Sequence, residues 1–454
     1  MNELFDRYCL FDRVAQDGTH HRTTTRHVRV EPGVHAEVPA LVRSVCPEGP
    51  VAIVLDANTR AVAGDDVIRA AQRAELPHEI IELKENEGEE VIVCTDARIA
   101  EVETLLREGS FAHAIAVGAG TINDVVKMAS FKAGCGYTTV GTAPSMNGYT
   151  SSIAAILSSG VKTTQPCHAP LIALADPRVM AEAPYRMIAS GLGDLYSKPV
   201  SNADWRLSHR LLGTWHSDLV MEIVESGAAL LDGVAPRLPA RDEDAVARLT
   251  GAIMISGLAM QAAGTSGPAS GGEHLISHFV DMEAYAFGAP HDFHGCQVAV
   301  GTVTTSKLYE RVLGLDPATI DPDAAADRHI EWDAYEPVLR ERFGKLSEAV
   351  IGHARKMYPT ASDVRTRLAR LKREWHDVAA DVSVTLRTSE DLAEELRSAH
   401  VPTLFPEIGV VEERARRAVL HCKDIRARYT ILHLAHELGV LSDFVDETVP
   451  THFG

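Results

Sequence analysis

Residues 111–131, FAHAIAVGAGTINDVVKMASF, read as a buried strand, a glycine turn and a helix. A short apolar run ends at Gly118, and the apolar residues after Gly120 recur at helical spacing. Gly118 and Gly120 allow the backbone to approach a pyrophosphate, and a helix start offers N–H donors at the positive end of its dipole. A plain strand–helix turn has the same appearance, so this loop by itself leaves the ligand open.

The same alternation extends in both directions. RHVRVEPG (26–33), GPVAIVLDANT (49–59) and HEIIEL (78–83) read as strands, with helices near 65–74 and 97–108. Downstream, GYTTVGTAPSMNGYTSSIAAI (136–156) is a strand running into a loop of small and polar residues, and PLIALADPRV (170–179) is a last strand closed by Asp-Pro. Residues 1–25 are expected to be an extension whose polar run THHRTTTR is exposed, with His20 and His21 solvated. Strands alternating with helices predict a Rossmann-like parallel sheet covered on both faces, over residues 1–179. Ligands of such sheets bind beyond the carboxyl ends of the strands, which singles out Asp56 and the loops at 118–124 and 142–150. Asp56 precedes the glycine loop, unlike the acid of the usual dinucleotide fingerprint. At a strand end it could bind ribose hydroxyls and disfavour a 2′-phosphate, or serve only as a turn residue.

From residue 180 to 454 strand signals fade, and an all-helical domain is predicted, with helices at 182–196, 214–232, 242–263, 272–286, 295–313, 335–357, 361–376, 387–398 and 411–438. Within it lies 264–301, GTSGPASGGEHLISHFVDMEAYAFGAPHDFHGCQVAVG. His274 and His278 share one helix face, and His294 opens the next helix. Asp194 lies upstream in GLGDLYSK. Asp194, His274 and His294 read as three ligands of one divalent metal, Zn, Ni or Fe, with a position left open for substrate. With 21 histidines, chance placement gives about one such i,i+4 pair, so the spacing alone does not define a site. Cys296, two residues after His294, points away on a helix and reads as packing.

The size suits two domains. The formal charge of −19 argues against nucleic acid and anionic membranes as partners. A phosphorylated substrate would need a local cluster of donors. No uninterrupted apolar run reaches a membrane span, and the start of the chain lacks a signal-peptide core. Seven scattered cysteines without a CxxC suit reduced cytoplasmic thiols.

The glycine loop, TAPSMNGYTS, GLGDLYSK, PASGGEHLISH and HGCQVAVGT, in this order, resemble the sn-glycerol-1-phosphate dehydrogenases, within the iron-containing alcohol dehydrogenase, glycerol dehydrogenase and dehydroquinate synthase-like superfamily. The tail VPTLFPEIGV…ARYTILHLAHELGVL looks like the bacterial members. The resemblance implies NAD(H) or NADP(H), a divalent metal on Asp194, His274 and His294, and reversible reduction of dihydroxyacetone phosphate or a close phosphorylated or phosphonate analogue. It places Asp56, Asn58, Thr59, Gly118, Gly120, Thr121, Asp124 and Thr142 against the nucleotide. Ser145 and Tyr149, counted with these contacts, line the substrate side of their loop beside Asn147. His278 is the candidate for a proton or phosphate contact, Lys198 for the phosphate, and a homo-oligomer is implied. Each has a plainer alternative: His278 a packing or metal-supporting histidine, Lys198 half of a surface pair with Asp194. Two departures stand out. Asn147 replaces the aspartate usual in SMDGY, and Gly267 replaces the arginine usual in SRPASG. Two other readings are a dehydroquinate-synthase-like lyase, whose usual lysine- and arginine-rich motifs are not evident, and a non-catalytic nucleotide- and metal-binding paralogue.

Overall fold

The computed structural model describes residues 1–85, 91–158 and 161–454. Ten strands occur among them: β1 (Asp12–Val14), β2 (His20–Arg22), β3 (His27–Val30), β4 (Val51–Asp56), β5 (His78–Leu83), β6 (His113–Gly118), β7 (Gly136–Gly141), β8 (Ile153–Ser158), β9 (Val161–Pro166) and β10 (Ile172–Ala175). Six form one sheet in the order β3-β10-β7-β6-β4-β5, every pair parallel. The apolar runs of β4, β6 and β10 are buried almost throughout, as a sheet covered on both faces requires. Alternate residues serve opposite faces. Ala52, Val54, Ala114 and Ala116 meet Ile99, Val102, Val125 and Ala129 from the helices Asp96–Glu108 and Gly120–Ala133. Val51, Ile53, Leu55, Ile115 and Val117 meet Val38, Val42, Val67 and Ala71 from Val38–Val45 and Asp65–Arg73.

The chain divides into two compact units, Met1–Leu195 with Ser217–Ser266, and Tyr196–His216 with Gly267–Gly454. The first holds the sheet; the second is helical throughout. The change of character at 179/180 and this division differ for a physical reason. Glu243–Ala263 is apolar around most of its circumference and is a core element of the sheet unit. Thr150 donates to the Met254 carbonyl at 2.6 Å, and Gln261 donates to Thr25 at 2.8 Å. This helix is long and apolar enough to cross a membrane, yet 89% of its apolar window is buried in the protein.

Residues 1–25 are not an exposed extension. Asn2–Tyr8 is a helix that buries Phe5 and Tyr8, and β1 and β2 form a hairpin. The THHRTTTR run alternates, with His21, Thr23 and Thr25 buried and His20, Arg22 and Thr24 exposed. Period-two spacing therefore gave this polar run one inward face. His21 is 1% exposed, with Nδ1 2.8 Å from the Ala262 carbonyl and Nε2 3.0 Å from Ser217 Oγ. Residues 136–156 hold more than a strand and a loop, because β8 pairs with β9 as an antiparallel hairpin. The helix Lys198–Leu212 falls where no helix was expected. Two long predicted helices are broken. Gly344, with φ of 51°, separates Trp332–Phe343 from Ser347–Ala354. Extended backbone at Arg426 separates Glu412–His421 from Ile431–Leu438. All seven cysteines are free thiols, and Cys296 is buried.

Candidate functional site

In the sheet unit, β6 runs through Gly118 into the helix Gly120–Ala133, whose N-cap is Ala119 with no side-chain cap. The first N–H groups of this helix therefore lack the side-chain oxygen that Thr95 gives the helix Asp96–Glu108. An uncapped helix start behind small residues fits a pyrophosphate. Gly120 and Thr121 are half-buried. Asp56 ends β4, and its Oδ1 accepts from the Thr59 amide (2.7 Å) and hydroxyl (3.0 Å) in a reciprocal cap. Asn58 is exposed beside it, while Thr59 is buried in the cap.

Asp124 and Tyr149 both make hydrogen bonds within the fold. Asp124 accepts from the Ala155 amide of β8 at 3.1 Å and from Asn123 at 3.1 Å, and lies 3.5 Å from the Lys127 ammonium. Burial raises its carboxyl above the usual range, and Lys127 opposes that shift. Tyr149 is fully buried and donates to the Ala143 carbonyl at 2.7 Å, closing its loop from within. Thr142 is buried and its amide donates to the Gly118 carbonyl at 3.3 Å. Ser145 is buried and accepts from Ser190 through its carbonyl at 2.9 Å.

Asn147, on the same loop, holds Asp194 at two points. Its amide nitrogen donates to Oδ2 at 2.8 Å and its side-chain Nδ2 donates to Oδ1 at 3.0 Å. Asp194 is 1% exposed near the end of the helix Tyr185–Leu195. Gly191 on that helix permits the approach: a Cβ there would lie 1.7 Å from the Pro144 carbonyl oxygen.

In the helical unit, His274 and His278 lie on Gly272–Phe287, and His294 opens His294–Leu313. Gly301 lets the two helices close, since a Cβ there would meet the Glu273 carbonyl at 2.5 Å. The three imidazoles cluster as the spacing predicted. Ring centroids lie 6.1 Å apart for His274–His278, 5.2 Å for His274–His294 and 5.3 Å for His278–His294. His274 Nδ1 is 2.7 Å from Glu273 Oε1, and His294 Nδ1 is 3.1 Å from Ser277 Oγ. The His274 and His294 rings thus each have an orienting oxygen on Nδ1, which leaves Nε2 as the free donor atom, an arrangement that metal-binding histidines also adopt. Imidazole and carboxylate donors suit Zn, Ni or Fe. The ligand atoms of His278, Asp281 and His294 also lie within 4.8 Å of one another. Asp281 Oδ1 accepts from Gln297 at 2.7 Å.

Lys198 is buried and opens the helix Lys198–Leu212, after a break at 196–197. It is therefore not one half of an exposed i,i+4 pair with Asp194. Gly267 lies in a short 3₁₀ turn, and a guanidinium reaches this loop from elsewhere: Arg428 donates to the Ser270 carbonyl. Burial lowers its pKa, which the charges of Glu273 and Asp204 oppose. Asp204 accepts from the Gly272 amide (2.7 Å), the Tyr309 hydroxyl (2.6 Å) and the Ile431 amide (2.7 Å). Its carboxyl is pushed up to about 7 by burial and then by the Glu273 charge. Sequence reasoning passed over Glu273, Asp204, Arg428 and Lys127. The only available signal was the position of Glu273 beside His274 and of Lys127 one turn after Asp124.

The sequence family of iron-containing alcohol dehydrogenases matches residues 29–184. A glycerol-1-phosphate dehydrogenase [NAD(P)+] of Bacillus subtilis (strain 168) is 30% identical over 387 residues, covering 85% of this chain and 85% of the relative. Its namesake from Pyrococcus furiosus is 32% identical over 286 residues, 63% of this chain and 78% of the relative. Among solved structures, a probable glycerol dehydrogenase from Sinorhizobium meliloti 1021 superposes with a TM-score of 0.61 at 15% identity, covering 93% of this chain and 98% of the other, which shows the shared fold. The glycine loop, the oriented histidines and these likenesses agree, and the chain belongs to the glycerol-1-phosphate dehydrogenase family of the iron-containing alcohol dehydrogenases.

Proposed function

We propose that the protein is a metal-dependent NAD(P)H oxidoreductase that interconverts dihydroxyacetone phosphate and sn-glycerol 1-phosphate. The match to relatives of that name over most of the chain carries this reading. The proposed ligands of the ion are Asp194, His274 and His294. A bound divalent cation would polarise the ketone, and the nicotinamide would supply hydride to C2. The chain's own residues do the rest. The N–H groups at Gly120 and Thr121 bind the pyrophosphate, with Gly118 keeping the approach open. Asp56 and Asn58 meet the ribose, and the Asp56 charge favours NAD over NADP. Asn147 holds the Asp194 carboxylate in one orientation. His278 passes the proton that the product hydroxyl requires. Lys198 supplies positive charge for the phosphate, against a chain whose formal charge is −19. Assembly into a homo-oligomer belongs to the same proposal.

The test is NADH and NADPH absorbance with dihydroxyacetone phosphate, in enzyme loaded with zinc or nickel. His274→Ala is expected to lose bound metal and to lower turnover by on the order of a hundredfold or more, since even the supporting partners of metal ligands cost ten- to a hundredfold. Wild-type metal content and turnover in that variant would overturn the assignment.

A further inference from the structure

The helix bearing His274 begins with a buried acid that the reaction does not use. Glu273 is fully buried, although carboxylates are rarely so unless paired. Its Oε1 accepts from the Gly271 amide at 2.7 Å and faces His274 Nδ1 at 2.7 Å. An acid in a first helical turn also suits the helix dipole. That role needs neither complete burial nor an imidazole on the same oxygen. The Gly272 amide is already satisfied by Asp204, so the two acids divide the work at this helix start.

We propose that Glu273 is a positioning residue of the metal centre. It fixes His274 as the tautomer protonated on Nδ1, which leaves Nε2 as the donor to the cation. Its negative charge strengthens that donor. The inference rests on His274 being a metal ligand, as proposed above.

The test uses the full chain and zinc alone. Glu273→Gln keeps the side chain's size and an oxygen that accepts from the Gly271 amide and from Nδ1–H, while it removes the charge and puts an NH2 in place of Oε2. The expected result is a zinc Kd weakened about 10- to 100-fold, shifted visible bands in the cobalt-substituted protein, and a metal-free Tm equal to the wild type. Wild-type zinc affinity and cobalt bands in Glu273→Gln would overturn the proposal. Should Glu273→Gln not fold, Glu273→Asp decides. It keeps the charge but withdraws it from Nδ1, and weaker zinc binding at unchanged metal-free Tm supports the role, whereas wild-type binding overturns it. His274→Ala separates the two levels: if it binds zinc as the wild type does, the ligand assignment fails, and not merely the role of Glu273.

Discussion

At the scale of single residues, Asn147 accounts for its own departure from the family's usual aspartate. Asp194 receives one hydrogen bond from the Asn147 backbone and one from its side-chain amide. An ionised aspartate at 147 would keep the backbone donor but have no side-chain N–H to give, and would set two carboxylates against each other. The amide thus suits a chain in which Asp194 is held from the loop side by one residue. Such a clamp demands close backbone approach, and Gly191 provides it. Gly191→Ala would place a methyl group 1.7 Å from the Pro144 carbonyl oxygen, which cannot rotate away. We expect a loss of about 3 kcal/mol in urea unfolding, since overpacking against backbone has few routes of relief. An unchanged unfolding midpoint would show that the helix and loop are looser than described.

Elements are joined here by buried charges. Lys127, fully buried on Gly120–Ala133, donates to the Gly148 carbonyl (2.7 Å), the Ile153 carbonyl (3.0 Å) and Ser151 (3.3 Å), and stands 3.5 Å from Asp124. One ammonium therefore ties the helix of the glycine loop to the loop of Asn147 and to the start of β8. Lys127→Met would keep the aliphatic volume, leave the Gly148 and Ile153 carbonyls to share the single Ser151 hydroxyl, and leave Asp124 a buried acid without its cation. The expected cost is about 3–5 kcal/mol, the usual result of removing one partner of a buried pair. A Tm within about one degree of wild type, roughly what a loss of 1 kcal/mol produces in a protein this size, would refute this account.

For the molecule as a whole, stability should depend on acid through buried neutral imidazole. His113 is 1% exposed on β6, with Nε2 2.8 Å from Thr138 Oγ1. Burial, and then the neighbouring His168, pushes its pKa down to about 4. The unfolded chain binds this proton near the ordinary value of about 6.5. Stability from His113 is therefore complete above that value and is lost as pH falls toward 4. Between pH 7 and 5 this one group should remove about 2 kcal/mol. Urea unfolding of His113→Gln against wild type at both values checks it, with the variant expected to lose that much less; parallel losses would contradict it.

Legibility followed the same physics. The β4 and β6 runs announced a covered parallel sheet because only a strand buried on both faces is apolar without alternation. The strand at 78–83 was legible to the residue. His274 and His278 declared one helix face because helical periodicity is local. Other features have no local signature. His21 looked solvated because its partners, Ala262 and Ser217, are distant in sequence. Glu243–Ala263 joined the sheet unit through contacts at Thr25 and Thr150 that its own pattern does not encode. Sequence by itself determined the order along the chain of the six main-sheet strands, the glycine turn and the identity of the candidate donors, because these rest on backbone geometry and short-range spacing. Only tertiary structure decided that Glu273 faces His274, that Asn147 clamps Asp194, and that Asp124 meets the Ala155 amide and Tyr149 the Ala143 carbonyl, because hydrogen bonds and burial depend on which distant groups the folded chain brings within about 3 Å.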